Sequence, residues 1–163
     1  MERSELTEKM IGYSKGNLHD INHFLKVYAY ARTIGLREGL GEAGQTALEA
    51  AALLHDIACP LCREKYGNTN GKYQEREGGP LAEELLKDSG LPQATVDRVV
   101  YLVAHHHTPD GVDGPDYQIL LEADYLVNAD ESSWTKDAIR HARESLFRTE
   151  TGRALLDAIY LRD

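Results

Sequence analysis

Apolar residues in this chain recur three, four and seven positions apart, and nowhere do they alternate with polar ones over the length of a strand. That spacing confines the chain to amphipathic helices packed on one another. The most telling stretch runs from Ala47 to Ile57 and ends Leu53-Leu54-His55-Asp56-Ile57. His55 falls seven residues after Leu48, and four and three after Ala51 and Ala52, so its imidazole belongs to the buried stripe. An imidazole and a carboxylate are each costly to bury alone, and a bound cation would offset that cost.

Read this way throughout, the sequence predicts an all-α single domain over residues 1–163, built from about seven helices. A weak first helix covers 4–15, with Ser4 as its cap. A second runs from Leu18 or Asp20 to Arg37 on the stripe Phe24, Val27, Ala31 and Ile34, and His23 points inward at its start. Residues 58–78, rich in Gly and Asn, read as a long connection, either a solvated loop or a lid that meets a phosphate. It carries Arg63, Lys65, Lys72 and Arg76. A short helix follows from Pro80 to Ser89. The next spans Gln93 to about His106 and ends in His105-His106-His107. Another runs from Pro115 to Asp130, with Asp124 standing on its apolar stripe where a Leu is expected. Ser133 and Thr149 are placed to cap two final helices, Trp134–Phe147 and Glu150–Leu161.

Eighteen basic against 27 acidic residues give a net charge of −9, which argues against non-specific nucleic-acid binding. An anionic substrate would need a metal or a few placed cations to hold it. No apolar run approaches the roughly 18 residues of a membrane span, and the first residues lack a signal-peptide core, so the expected location is cytoplasmic. Cys59-Pro60-Leu61-Cys62 lacks the second ligand pair of a structural zinc site and reads as two reduced, quiet thiols. The series Asp110, Asp113, Asp116 lacks the closing Glu of a calcium loop.

Three separate helices thus set ionisable groups on apolar stripes: His23, the pair His55-Asp56, and Asp124. One such intrusion is ordinarily a satisfied core residue. Together they have a common explanation, convergence on one divalent cation. Two nitrogens and two oxygens leave room for water in an octahedral shell, which suits Mn, Fe, Co or Ni and tolerates Zn or Mg.

The order His23, then His55-Asp56 after an apolar helix, then Asp124 in Leu-Glu-Ala-Asp, resembles the HD-domain superfamily of metal-dependent phosphohydrolases. The resemblance is strongest over residues 18–131. It implies that His23, His55, Asp56 and Asp124 ligate metal, and that a phosphoester or phosphoanhydride of a nucleotide-like substrate is cleaved by an activated water. It also implies that Asp56, Asp124, His106 and His107 serve catalysis and that Lys26 faces the substrate, with Lys72 and Arg76 of the 58–78 connection and His19 before the second helix as further candidates to hold it. The middle of the chain is similar to small HD hydrolases of dinucleoside polyphosphates, some of which hold a second metal. Here that site would draw on Glu77, His106 and His107, with Glu77 standing where a His is usual, so one ion is expected over two. A mixed-valent di-iron oxygenase and a non-catalytic, metal-stabilised nucleotide- or protein-binding module are the alternative readings. The expected partner is a small phosphorylated molecule, with neither nucleic acid nor membrane, and a homodimer is compatible with the sequence.

Overall fold

The computed structural model describes all residues, 1–163, and contains no strand. Nine α-helices follow one another: α1 (Arg3–Tyr13), α2 (Leu18–Arg37), α3 (Glu42–Leu54), α4 (Cys59–Tyr66), α5 (Gly71–Leu86), α6 (Gln93–His105), α7 (Pro115–Glu131), α8 (Lys136–Ser145) and α9 (Glu150–Tyr160). A single 3-10 turn, Pro109–Gly111, sits between α6 and α7. The all-α expectation holds, with more helices than anticipated. α2, α3, α6 and α7 enclose the core, where Val27, Ile34, Leu48, Leu53, Leu54, Leu102, Leu120 and Leu126 have no measurable exposure. No helix is long and apolar enough to cross a membrane.

Two departures from the sequence reading bear on the site. First, α3 stops at Leu54, and His55 to Ala58 form a turn rather than a helix end. The turn is tied by Ile57 N–H to Leu54 O and Cys59 N–H to Asp56 O, both 2.9 Å. Second, 58–78 is mostly helical. Pro60 stands in the first turn of α4, where its missing N–H costs nothing, and Gly67 closes the helix at φ 74°. α5 then starts at Gly71 and runs through Gly78-Gly79-Pro80, a sequence that looks like a break. Packing overrides it. A Cβ on Gly78 would stand 3.0 Å from Val103 Cγ1, and one on Gly79 3.4 Å from Ala104 Cβ, so the glycines let α5 and α6 approach closely.

The far end of the bundle hangs on a buried acid. Glu122 of α7 is fully buried and accepts from Gln118 Nε2, the backbone N–H groups of Arg148 and Thr149, and Thr149 Oγ1. Thr149 in turn caps α9 by accepting from Gly152 N–H. A Cβ on Gly152 would fall 1.9 Å from Glu122 Oε1. Gly152→Ala is therefore expected to destabilise by a net of about 2 kcal/mol, despite alanine's better helix propensity, because the carboxylate must leave its donors. Urea unfolding of the two proteins checks this. Equal midpoints would mean that Glu122 can move freely.

Candidate metal centre

α2, the α3–α4 turn and α7 bring three of the expected groups to one point. His23 Nε2 stands 3.0 Å from His55 Nε2, 3.1 Å from Asp124 Oδ1 and 3.2 Å from Asp56 Oδ2. His55 Nε2 lies 3.4 Å from Asp124 Oδ1 and 3.5 Å from Asp56 Oδ2. Ligand atoms of His23, His55 and Asp56 all fall within 4.8 Å of one another. The imidazoles are buried, whereas the Asp56 side chain keeps 27% of its exposure, so the cluster opens to solvent through its carboxylates.

The other ring nitrogens show which atoms are on offer. His55 Nδ1 donates to Ala52 O at 2.7 Å, and His106 Nδ1 to Val103 O at 2.8 Å. A carbonyl only accepts, so each Nδ1 carries the hydrogen, and in the neutral ring each Nε2 is a lone pair. His23 Nδ1 is likewise taken, by Glu131 Oε2 at 2.8 Å. His106 Nε2 is buried with no hydrogen-bond partner, and Asp56 Oδ1 stands 3.5 Å away. Three buried lone pairs aimed at two carboxylates, two of them 3.0 Å apart, make an arrangement that neutral rings disfavour and a cation satisfies. The donor set fits a divalent metal.

Electrostatics in the metal-free protein point the same way, because protons stand in for the missing charge. Burial works against the His23 cation, but the hydrogen bond to Asp124 and the charges of Asp56 and Asp124 overcome it, and its pKa rises to about 9. His55 is also raised, against its burial, by the same two carboxylates. Burial opposes the charged forms of Asp56 and Asp124 too, yet the imidazoles hold both carboxyls well below the usual range.

A second group adjoins the first. Asp56, His106 and His107 each offer an atom within 4.8 Å of the others. Asp56 is common to both, with Oδ2 toward His23 and His55 and Oδ1 toward His106. Gln74 donates its amide to Thr69 O and so turns its oxygen to His107, which donates from Nε2 at 2.9 Å and keeps Nδ1 as lone pair. His107 is exposed at the edge of the site, yet lost hydration around its ring and the neighbouring His106 push it down to about 4, so it is neutral at pH 7. Gly71 admits this contact, since a Cβ there would meet His107 Cγ at 3.0 Å.

The HD domain family model matches residues 20–133, which contain all of these groups. The chain belongs to the HD domain family. Among solved structures, a predicted HD superfamily hydrolase from an uncultured Thermotogales bacterium superposes with a TM-score of 0.72 at 28% identity. The match covers 97% of this chain and 84% of that one. No curated protein matches the chain.

Not every expected site residue of this HD domain joins the cluster. Glu77 turns away, accepting from Lys65 Nζ at 2.8 Å and Tyr66 O–H at 2.5 Å, and belongs to neither ligand group. The helical start of α5 explains this. With α5 beginning at Gly71, Gln74 meets His107, and Glu77, three residues on, faces α4 instead. Lys72 lies over the Tyr73 ring, 4.9 Å from its centroid, and Arg76 is exposed on α5. Lys26 is exposed on α2, in a shallow hollow with Tyr30, Asp130 and Tyr160 that none of the ligand candidates lines. His19 is at the rim, its Nε2 3.6 Å from Glu131 Oε2. His105 donates to Tyr101 O and stacks on that ring, and His141 is exposed.

Two neighbours escape the sequence reading, Glu131 and Gln74, and Arg63 figures there only among the cations of the 58–78 connection. Glu131 follows Asp124 by seven residues, two helical turns on one face, which is the signal that could have exposed it. Arg63 clamps Asp20 with two bonds of 2.7 Å, and those bonds with the Asp20 and Asp56 charges hold it cationic. Cys59 and Cys62 are buried and unpaired, and burial with the Asp56 charge keeps the Cys59 thiol well above its ordinary pKa. Asp113 and Asp116 both bind Arg98, at 2.7 and 2.6 Å, which occupies two of the three acids of the loose calcium-loop pattern.

Proposed function

We propose that this HD domain is a metal-dependent phosphohydrolase that cleaves a phosphoester or phosphoanhydride bond of a small nucleotide-like substrate. The observation carrying the proposal is the set of buried Nε2 lone pairs facing Asp56 and Asp124. His23, His55, Asp56 and Asp124 would hold the cation, and their mixed nitrogen–oxygen set suits Mn, Fe, Co or Ni, with Zn or Mg tolerated. When bound, such an ion supplies Lewis acidity, acidifying a water toward a pKa of about 7 and drawing charge from a phosphoryl oxygen.

The chain supplies the rest. Asp56 has one oxygen toward the first imidazole pair and the other toward His106, so it can take a proton on the oxygen that is not ligating. His106 Nε2 and His107 Nδ1 are the lone pairs that can receive a proton or return one to the leaving oxygen. Arg63 lies within the field of Asp56 and has the fork geometry to grip a phosphate once it exchanges Asp20 for it. Lys26, Lys72, Arg76 and His19 remain candidates for the outer parts of the substrate. The same proposal puts the protein in the cytoplasm, acting on a small molecule rather than nucleic acid, alone or as a homodimer.

A second reading has one observation in its favour, the adjoining group of Asp56, His106 and His107. A second ion there would make the centre dinuclear and admit di-iron oxygen chemistry. It would do so without Glu77, so one ion remains preferred.

Metal content by mass spectrometry and a phosphate-release screen over nucleotides test the proposal. The expected result is about one equivalent of a divalent transition metal, lost in His55→Ala and Asp124→Ala, kept in Glu77→Ala, with phosphate released from at least one substrate. Two equivalents of iron, one lost in His106→Ala, would carry the dinuclear reading. Stoichiometric metal with no turnover would favour a binding module. A wild-type protein that takes up no metal even on reconstitution would end the hydrolase proposal.

A further inference from the structure

We propose that Glu131 is the positioning residue of the metal centre: its carboxylate accepts the Nδ1–H of His23 and so decides which nitrogen that ring turns toward the cation. The inference rests on the reading of His23 as a ligand.

His55 and His106 need no outside help. Each donates Nδ1–H to a carbonyl three residues behind it, Ala52 O and Val103 O, at the C-terminal ends of α3 and α6. Carbonyls there have no helical partner of their own. His23 is in a different position. It lies inside α2, six residues after Asn17 caps the helix, where the carbonyls behind it belong to the helix ladder. The partner for its Nδ1 has to come from elsewhere, and α7 delivers it at 2.8 Å. Asp124 and Glu131 are two turns apart on α7, so one helix presents a carboxylate to each nitrogen of the same ring.

The placement of Glu131 is otherwise unfavourable. It is the last residue of α7, in a final turn with no basic residue, and the helix dipole disfavours a negative charge there. Its side chain is only 14% exposed. Besides the His23 bond, its partner is the rim imidazole of His19, whose ring lies nearly parallel to that of His23 with centroids 6.5 Å apart. Glu131 touches no reacting atom. Its role is to lock the ring orientation and, as a charged acceptor, to make His23 the more basic donor.

The test compares wild type with Glu131→Gln, Glu131→Ala and His55→Ala, all stripped of metal and titrated with Co²⁺ by visible absorption. Nitrogen-15 spectra of the imidazoles in the Zn²⁺-loaded proteins report which nitrogen carries the hydrogen. Wild type is expected to show His23 protonated at Nδ1 and metal-bound at Nε2. Glu131→Gln, which keeps an acceptor oxygen without the charge, should retain that signature and lose about 10-fold in Co²⁺ affinity. Glu131→Ala should lose up to about 100-fold and lose the single Nδ1–H signature. Glu131→Ala binding Co²⁺ like wild type, with an unaltered His23 spectrum while His55→Ala fails to bind, overturns the role of Glu131 alone. A wild type that binds no Co²⁺ overturns the ligand reading beneath it.

Discussion

Asp56→Ala is expected to abolish cation binding altogether, whereas His106→Ala should leave the one ion in place. Asp56 is the one side chain common to both ligand groups, one oxygen on each. Its loss also leaves Asp124 as the one carboxylate at the two Nε2 atoms, so the first group falls from four ligands to three and loses half of its negative charge. The fall in affinity should exceed the roughly 10- to 100-fold that loss of an orienting partner costs, and turnover should reach background. Calorimetric titration with Mn²⁺ or Co²⁺ measures it. If Asp56→Ala bound metal as tightly as wild type, the ligand assignment would collapse, since no other side chain touches both groups. His106→Ala, leaving the His23, His55 and Asp56 group intact, should keep about one equivalent bound.

The second large effect is on stability and depends on pH. In the metal-free protein His23 titrates at about 9, above the 6.5 of an unfolded chain, because Asp124 and Asp56 outweigh the burial that opposes its charge. A raised folded pKa stabilises fully below the unfolded value, and the stabilisation is lost as pH rises through the folded one. The metal-free protein should therefore weaken between pH 6.5 and 9. The loss is on the order of 3 kcal/mol from this group, and His55, raised in the same direction, adds to it. Asp56 and Asp124, both lowered, stay ionised across the window and do not offset the loss. The metal-loaded protein should show the opposite trend in the gain from metal, since the cation competes with those protons. Melting temperatures with and without Mn²⁺ from pH 6 to 9.5 would show the two curves diverging. Parallel curves would mean that the imidazoles are not where the metal binds.

The fold class was legible because it depends only on the period of the apolar pattern, and that period is helical from end to end. His23 and Asp124 were legible for a related reason: each interrupts an apolar stripe, and the structure brings them to one point with His55 and Asp56. What the sequence concealed lies in long-range packing. Gly78-Gly79-Pro80 has the composition of a turn, and only the proximity of Val103 and Ala104 shows why it is helix. A helix that begins only at Pro80 puts Glu77 in the place that Gln74 holds beside His107. Glu131 stood unnoticed because a carboxylate at a helix end looks like surface. Ser133 was expected to cap α8, but it adopts φ 51° in the turn, and Thr135 accepts from Ala138 N–H instead.

The close seam between α5 and α6 also governs where this chain can change in length. The two helices run antiparallel, with Gly78 against Val103 and Gly71 and Gln74 against His107. The glycine contact therefore acts as a ruler for the contact at the metal centre. One residue inserted between Gln74 and Gly78 would turn the two out of register by about 100° and swing the amide away from His107. Natural variation in length should therefore spare this stretch and keep Gln74 and Gly78 four positions apart.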